Sequence, residues 1–334
     1  MVKIKLLVLC LSISIQSCKA QTSKINGVSF VASKEAIQAK HVEPVVNLNA
    51  NFVAIMPFGF IKDLTSPTIL FNTERQWFGE TKAGAKQYVE KFQKEAIGVM
   101  LKPQIWVWRG EFTGLIEMKN ENDWVDLEDS YSKFILTYAK LAQEMNVDIF
   151  CIGTELEKFT LNRPSYWLNL IQKIKQIYKG KLTYAANWDE YKRTLFLKNL
   201  DYIGVDAYFP VSQNETPSVD DCLENWKPYK VELEALSRVY NKSILFTEYG
   251  YRSVDFSGKE PWKSDTSMTQ VNLEAQNNTT QALFKTFWEE DWFAGGFVWK
   301  WFHNHDSVGG ITNTMFTPQN KPAEDLIRIQ YRSE

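Results

Sequence analysis

The chain has 334 residues, 44% hydrophobic and 23% charged, with 38 basic and 40 acidic side chains and a formal charge of −2. That length fits one large domain around a single core. A slightly acidic chain with no basic run offers no stripe to neutralise phosphates, which argues against nucleic acid as a partner.

The first residues read as a targeting segment. Lys3 and Lys5 precede an apolar stretch, Leu6 to Ile15, too short to span as a stable helix. Ile15-Gln16-Ser17-Cys18 then reads as a bacterial lipobox. On that reading residues 1–17 are a lipoprotein signal peptide, Cys18 is the acylated first residue, and 18–24 are a short tether. A simple cleaved signal peptide, cut near Ala20, is the alternative. Lipid attachment predicts an exported bacterial lipoprotein of the cell envelope, held to the membrane by its anchor alone.

From residue 25 to 334, strand-like and helix-like runs alternate without repeat, linker or low-complexity tract. Strands are predicted to begin near Ile25, Phe52, Gly98, Asp148, Lys181, Tyr202, Ser243 and Gly295. Tyr131, Phe134, Ile135, Tyr138, Leu141 and Ala142 share one helical face, as do Leu168, Ile171, Ile174 and Ile177 behind Pro164. Later helices are predicted over 218–240, 270–288 and 322–331. Eight strands alternating with helices predict an α/β fold, a single-domain (β/α)8 TIM barrel. Cys151 and Cys222 remain after the leader, either as buried free thiols or as a disulfide.

Two predicted strands end abruptly in a glutamate. Ile149 to Thr154 leads to Glu155, and Ile244 to Thr247 leads to Glu248. In a barrel of about 250 residues, strands four and seven lie about 93 residues apart. Glu155 and Glu248 are separated by 93. The C-terminal strand ends hold the active site of such a barrel. A pair of carboxylates facing one another there is what glycosidic bond cleavage requires.

Further candidates cluster at the same strand ends. Trp299 and Trp301 alternate at the end of strand eight, so both are predicted to point to one side, one as a sugar platform. Trp106 and Trp108 repeat that pattern after strand three, and Trp188 is a third platform candidate. Lys102, with Arg109 and Glu111, is placed at the rim to bind hydroxyls, a solvated salt-bridge network being the preferred reading of Arg109 and Glu111. Asp206 is read as a hydrogen-bond acceptor inside the barrel, and Glu157 as a support for the rim. His303-Asn304-His305-Asp306 has the chemistry of metal ligands, with His41 the one remaining histidine. A polar loop is the preferred reading, and no metal or cofactor is expected.

Ile152-Gly153-Thr154-Glu155-Leu156-Glu157 and Phe246-Thr247-Glu248-Tyr249-Gly250-Tyr251 resemble the strand-four and strand-seven signatures of glycoside hydrolase family 113. The resemblance extends to Met100-Leu101-Lys102-Pro103, Ala186-Asn187-Trp188 and Gly204-Val205-Asp206-Ala207-Tyr208-Phe209-Pro210. It implies a retaining hydrolase of β-1,4-mannan or manno-oligosaccharides, with Glu155 as acid/base and Glu248 as nucleophile. It also implies that Tyr208 donates its hydroxyl to the nucleophile. Clan members often carry asparagine where this chain has Thr154, so Asn187 is the candidate for the polar sugar contact. Gln104 stands where a histidine is expected. An exo-acting β-mannosidase, or a hydrolase of another β-glycan, is the nearest alternative. A non-catalytic glycan-binding lipoprotein is the alternative of a different class.

Overall fold

The computed structural model describes residues 24–264 and 268–332. The proposed lipobox and Cys18 lie outside the described residues. Eight parallel strands close into a barrel: β1 (Ile25–Phe30), β2 (Phe52–Ile55), β3 (Gly98–Leu101), β4 (Ile149–Thr154), β5 (Lys181–Asn187), β6 (Ile203–Asp206), β7 (Ile244–Tyr249) and β8 (Phe293–Trp301). Each strand pairs with its neighbours in sequence, and β8 closes against β1. The (β/α)8 expectation therefore holds, with strand starts within two residues of those predicted.

Two cores result from strands buried on both faces. Inside the barrel, Ile25, Ala54, Met100, Ile149, Cys151, Ala185, Leu245 and Phe297 fill the lower layers. Outside, the opposite faces of the strands pack on the helices. Along α1 (Glu121–Glu144) all six residues of the predicted apolar face are buried. The face of α2 (Pro164–Ile177) is rotated from the prediction: Trp167, Leu170, Ile171 and Ile174 are buried, while Leu168 is exposed. Trp167 turns the helix inward by stacking on Phe196, 5.5 Å between ring centroids. Cys151 and Cys222 are both free and buried, which removes the disulfide option. Among the described residues no helix is long and apolar enough to cross a membrane.

One element is absent from the sequence reading. Phe58–Ile61 and Gln104–Val107 form a second, two-stranded parallel sheet above the barrel. Each follows a barrel strand after a two-residue step, Met56-Pro57 after β2 and Lys102-Pro103 after β3. Proline has no N–H to give the barrel ladder, so both strands leave it at the same height. They pair again beyond it, where Gln104 N–H donates to the Pro57 carbonyl at 2.9 Å.

Candidate active site

Above the apolar interior the barrel becomes charged. Lys102 and Asp206 are wholly buried at the ends of β3 and β6. The Lys102 ammonium donates to Asp206 Oδ1 and Oδ2 at 3.2 and 3.4 Å, and to Glu248 Oε1 at 2.5 Å. Thr247 adds a hydroxyl to Asp206 Oδ1 at 2.7 Å. Burial works against the ammonium, but the carboxylates of Asp206 and Glu248 outweigh it and hold Lys102 above the usual lysine range. Burial, helped by the Glu248 charge, pushes Asp206 up to about 7 against the pull of Lys102 and Thr247.

Glu248 ends β7 and is 6% exposed. Besides Lys102, Gln104 Nε2 donates to its Oε1 at 3.1 Å. The Tyr208 hydroxyl donates to its Oε2 at 2.7 Å. Its two oxygens thus accept from three donors, one of them a buried cation. Tyr208 retains its proton because burial, then the nearby carboxylates, raise it well above the usual phenol range.

Glu155 lies just past β4 in the opposite environment. Among the described residues no side-chain hydrogen bond reaches its carboxyl group. Burial first, then the charges of Asp206 and Glu248, raise it well above the carboxylate range against Lys102. Two glutamates thus face one interior, one dressed with donors and one bare. The Glu155 backbone has φ 50°, a left-handed conformation that costs a non-glycine residue about 1–3 kcal/mol. It is held by Glu155 N–H to the Ala185 carbonyl at 2.8 Å and by Leu156 N–H to the Tyr184 hydroxyl at 2.7 Å.

The remaining candidates divide. Asn187 is half-buried at the end of β5, its Oδ1 accepting from Trp188 N–H at 2.8 Å. Trp188 stacks on Trp262, 5.1 Å between centroids and 17° between planes. Trp106 and Trp108 are 50% and 66% exposed. Trp299 is half-buried, with the Lys300 ammonium 5.6 Å from its ring, and the Trp299–Lys300 peptide is cis. Trp301 does not share its side. The register of β8 shifts against both neighbours, Val28 to Val298 but Phe30 to Trp301, and Trp301 is 0% exposed in the core. It fills the barrel wall and cannot be a sugar platform. Lys102 likewise leaves the rim expected for it: it sits under Glu248, with no surface for a hydroxyl. Glu157 pairs with Arg193 at the rim.

In the loop after β8, His305 bonds Glu324 at 3.0 Å and His303 lies edge-on to His41. Among the described residues no group of three or more His, Cys, Asp or Glu is arranged to hold a metal.

Three residues near the site escaped the sequence reading. Lys300, close enough to feel the Glu248 charge, lies between Trp299 and Trp301, whose alternation is the stronger signal in the sequence. Trp262 lies in an irregular segment without periodicity. Glu190 follows Asn187 by three residues and is buried, 1% exposed.

A sequence model of Glycoside Hydrolase Family 113 matches residues 31–321. The chain belongs to that family. It is a glycoside hydrolase on a single (β/α)8 barrel. Among solved structures it is similar to the GH113 beta-mannanase of Alicyclobacillus acidocaldarius, 21% identical over 93% of this chain and 98% of that one, with TM-score 0.79. A second GH113 beta-1,4-mannanase is 20% identical over 94% of this chain and all of the other, TM-score 0.81. The beta-glucuronidase of Faecalibacterium prausnitzii is more distant: 15% identical, TM-score 0.62, covering 94% of this chain and 49% of that enzyme. No curated protein sequence matches the chain. Identities this low speak for the shared fold, and the family match speaks for the reaction class.

Proposed function

We propose that this hydrolase cleaves β-1,4-mannosidic bonds with retention, by double displacement. Glu248 attacks the anomeric carbon while Glu155 protonates the departing glycosidic oxygen. Water then enters, Glu155 takes its proton, and the glycosyl–Glu248 ester is hydrolysed. The observation that carries this reading is the contrast between the two glutamates. Glu248 accepts three hydrogen bonds, one of them from a buried ammonium. Glu155 accepts none from the described residues and is driven toward its protonated form. The family and its solved mannanases support the choice of sugar and linkage.

The accessory sheet supports a chain substrate over a single sugar. Gln104 and Trp106 share one face of their strand, opposite Phe58 and Phe60. That face carries the partly exposed residues, while Ile61, Ile105 and Val107 are buried behind. It runs from the nucleophile's own partner outward to a surface cavity of about 960 Å³ lined by Phe60, Trp77, Trp108, Arg75 and Arg109. Residues 15–18 support an envelope lipoprotein, which incorporation of labelled fatty acid at Cys18 would test.

Glu248→Ala should abolish turnover of manno-hexaose while oligosaccharide still binds, and NMR of the wild-type reaction should show the β-anomer first. Unchanged activity in Glu248→Ala, or an inverted first product, would falsify the mechanism. Internal products at the earliest time point mark endo action; mannose alone marks exo.

A further inference from the structure

We propose that Glu190, a buried carboxylate outside the substrate's reach, is a positioning residue for the acid/base Glu155. The inference rests on the double-displacement reading above. Glu190 Oε1 accepts the Tyr184 hydroxyl proton at 2.6 Å. That hydroxyl in turn accepts the N–H of Leu156, the residue after Glu155, at 2.7 Å. Tyr184 and Glu190 are 0% and 1% exposed, so water cannot replace either partner.

The direction of each bond follows. An N–H only donates, so the Leu156 bond uses a lone pair of the tyrosine oxygen. The tyrosine proton is then free to point at Glu190. With its proton committed there, Tyr184 presents its oxygen to the turn that carries Glu155. The turn needs such a clamp because Glu155 is left-handed, a conformation that persists where its surroundings over-determine it.

The second oxygen serves the other wall of the site. Glu190 Oε2 accepts Asn187 N–H at 3.0 Å, and Glu190 N–H donates to the Asn187 carbonyl at 2.9 Å. One carboxylate thus ties the turn after β4 to the loop after β5. Glutamine cannot do the same. Its single carbonyl oxygen accepts from Tyr184 or from Asn187, and its amide then faces the other donor. The charged groups around Glu190 are Glu155 and Glu157 after β4, Asp206 on β6, and Arg193 in its own loop. Burial raises Glu190 to about 7, so above that pH its charge adds to those that keep the proton on Glu155.

A displaced acid/base affects the two half-reactions by how much they need its proton. Cleavage of a mannosidic bond needs it in the first step, because a sugar alkoxide is a poor leaving group. Departure of 2,4-dinitrophenolate needs none. Glu190→Gln and, separately, Tyr184→Phe should each lower kcat on manno-hexaose roughly 10- to 100-fold, the scale of a misplaced catalytic group. The pre-steady-state burst of dinitrophenolate from a 2,4-dinitrophenyl β-mannoside should keep its wild-type rate. Its steady state should slow, because Glu155 must still activate water. Azide, which needs no base, should restore it as mannosyl azide. Equal loss on both substrates, or slowed bursts, would mean a general packing defect and overturn the proposal. Wild-type kcat on manno-hexaose in either variant would also overturn it. Should Glu190→Gln fail to fold, Tyr184→Phe decides alone. A wild-type enzyme that gives no burst and no mannosyl-enzyme mass would instead sink the underlying mechanism.

Discussion

At the scale of single residues, the site is built by placing one cation beneath two acids. The Lys102 ammonium meets Asp206 and Glu248, and all three are buried. Removing one partner from a buried ion cluster leaves uncompensated charge and typically costs about 3–5 kcal/mol of stability. Lys102→Met should therefore lower both the melting temperature and kcat. Glu248 Oε1 would lose its cationic partner, and with it part of the orientation that the proposed attack needs. Tyr208→Phe removes a neutral donor and leaves the cation in place. We expect a loss of about 1–3 kcal/mol of transition-state stabilisation there, roughly 10- to 100-fold in kcat, with little change in melting temperature. Calorimetry beside steady-state kinetics separates the two; equal thermal loss in both would contradict this account. The two glutamates of the proposed mechanism were legible as candidates because each stands at the end of an apolar strand. The burial of Lys102 was not, since a lysine before proline reads equally well as a rim residue. Only the closing of the barrel puts Asp206, 104 residues away, against it.

At the scale of elements, the periodicity that exposed the eight strands also misplaced a side chain. Alternation puts Trp299 and Trp301 on one side only in an unbroken strand. The register shifts of β8 place Trp301 in the wall instead. The accessory sheet was hidden for a related reason: its strands are four residues long and lie immediately behind a proline, where each reads as loop. These differences predict opposite phenotypes for tryptophans that look alike in sequence. Trp301→Ala should open a large void and cost about 3–5 kcal/mol of stability. Trp106→Ala, on an exposed ring beside Gln104, should leave the melting temperature near wild type. It should raise KM for manno-hexaose severalfold at nearly constant kcat, the loss of about 1 kcal/mol of stacking. A Trp106→Ala enzyme with wild-type KM for hexaose would mean that substrate does not run along the accessory sheet.

At the scale of the whole molecule, the cost of keeping acids buried fixes the sign of the pH response. Burial raises Glu190 and Asp206 to about 7, and raises Glu155 well above its usual range. In the unfolded chain these groups give up their protons near the ordinary values of 3.8 and 4.5. Between those values and about 7 the folded protein binds protons that the unfolded chain does not. Stability therefore rises as the pH falls through that window, and is lost as it rises toward 7. Lys321, pushed down to about 7 by burial and by Arg252, acts only above this window. There the unfolded chain holds the extra proton, so raising the pH from about 7 to 10 regains stability. The carboxylates held below their usual range, such as Glu144 and Glu232, sit at the surface, where their opposing contributions are small, while His41 and His303, pushed below 6.5 chiefly by partial burial, work against the rise once the pH falls below about 6.5. The melting temperature should accordingly be higher at pH 5.5 than at pH 7. Glu190→Gln, having no proton to gain, should show a shallower rise over the same interval. A melting temperature that still falls steadily from pH 7 to 5.5 after His41 and His303 are replaced by glutamine would mean that these acids are already ionised in the folded protein. Glu155 would then have no proton to donate, and the assignment of acid and nucleophile would fail with it.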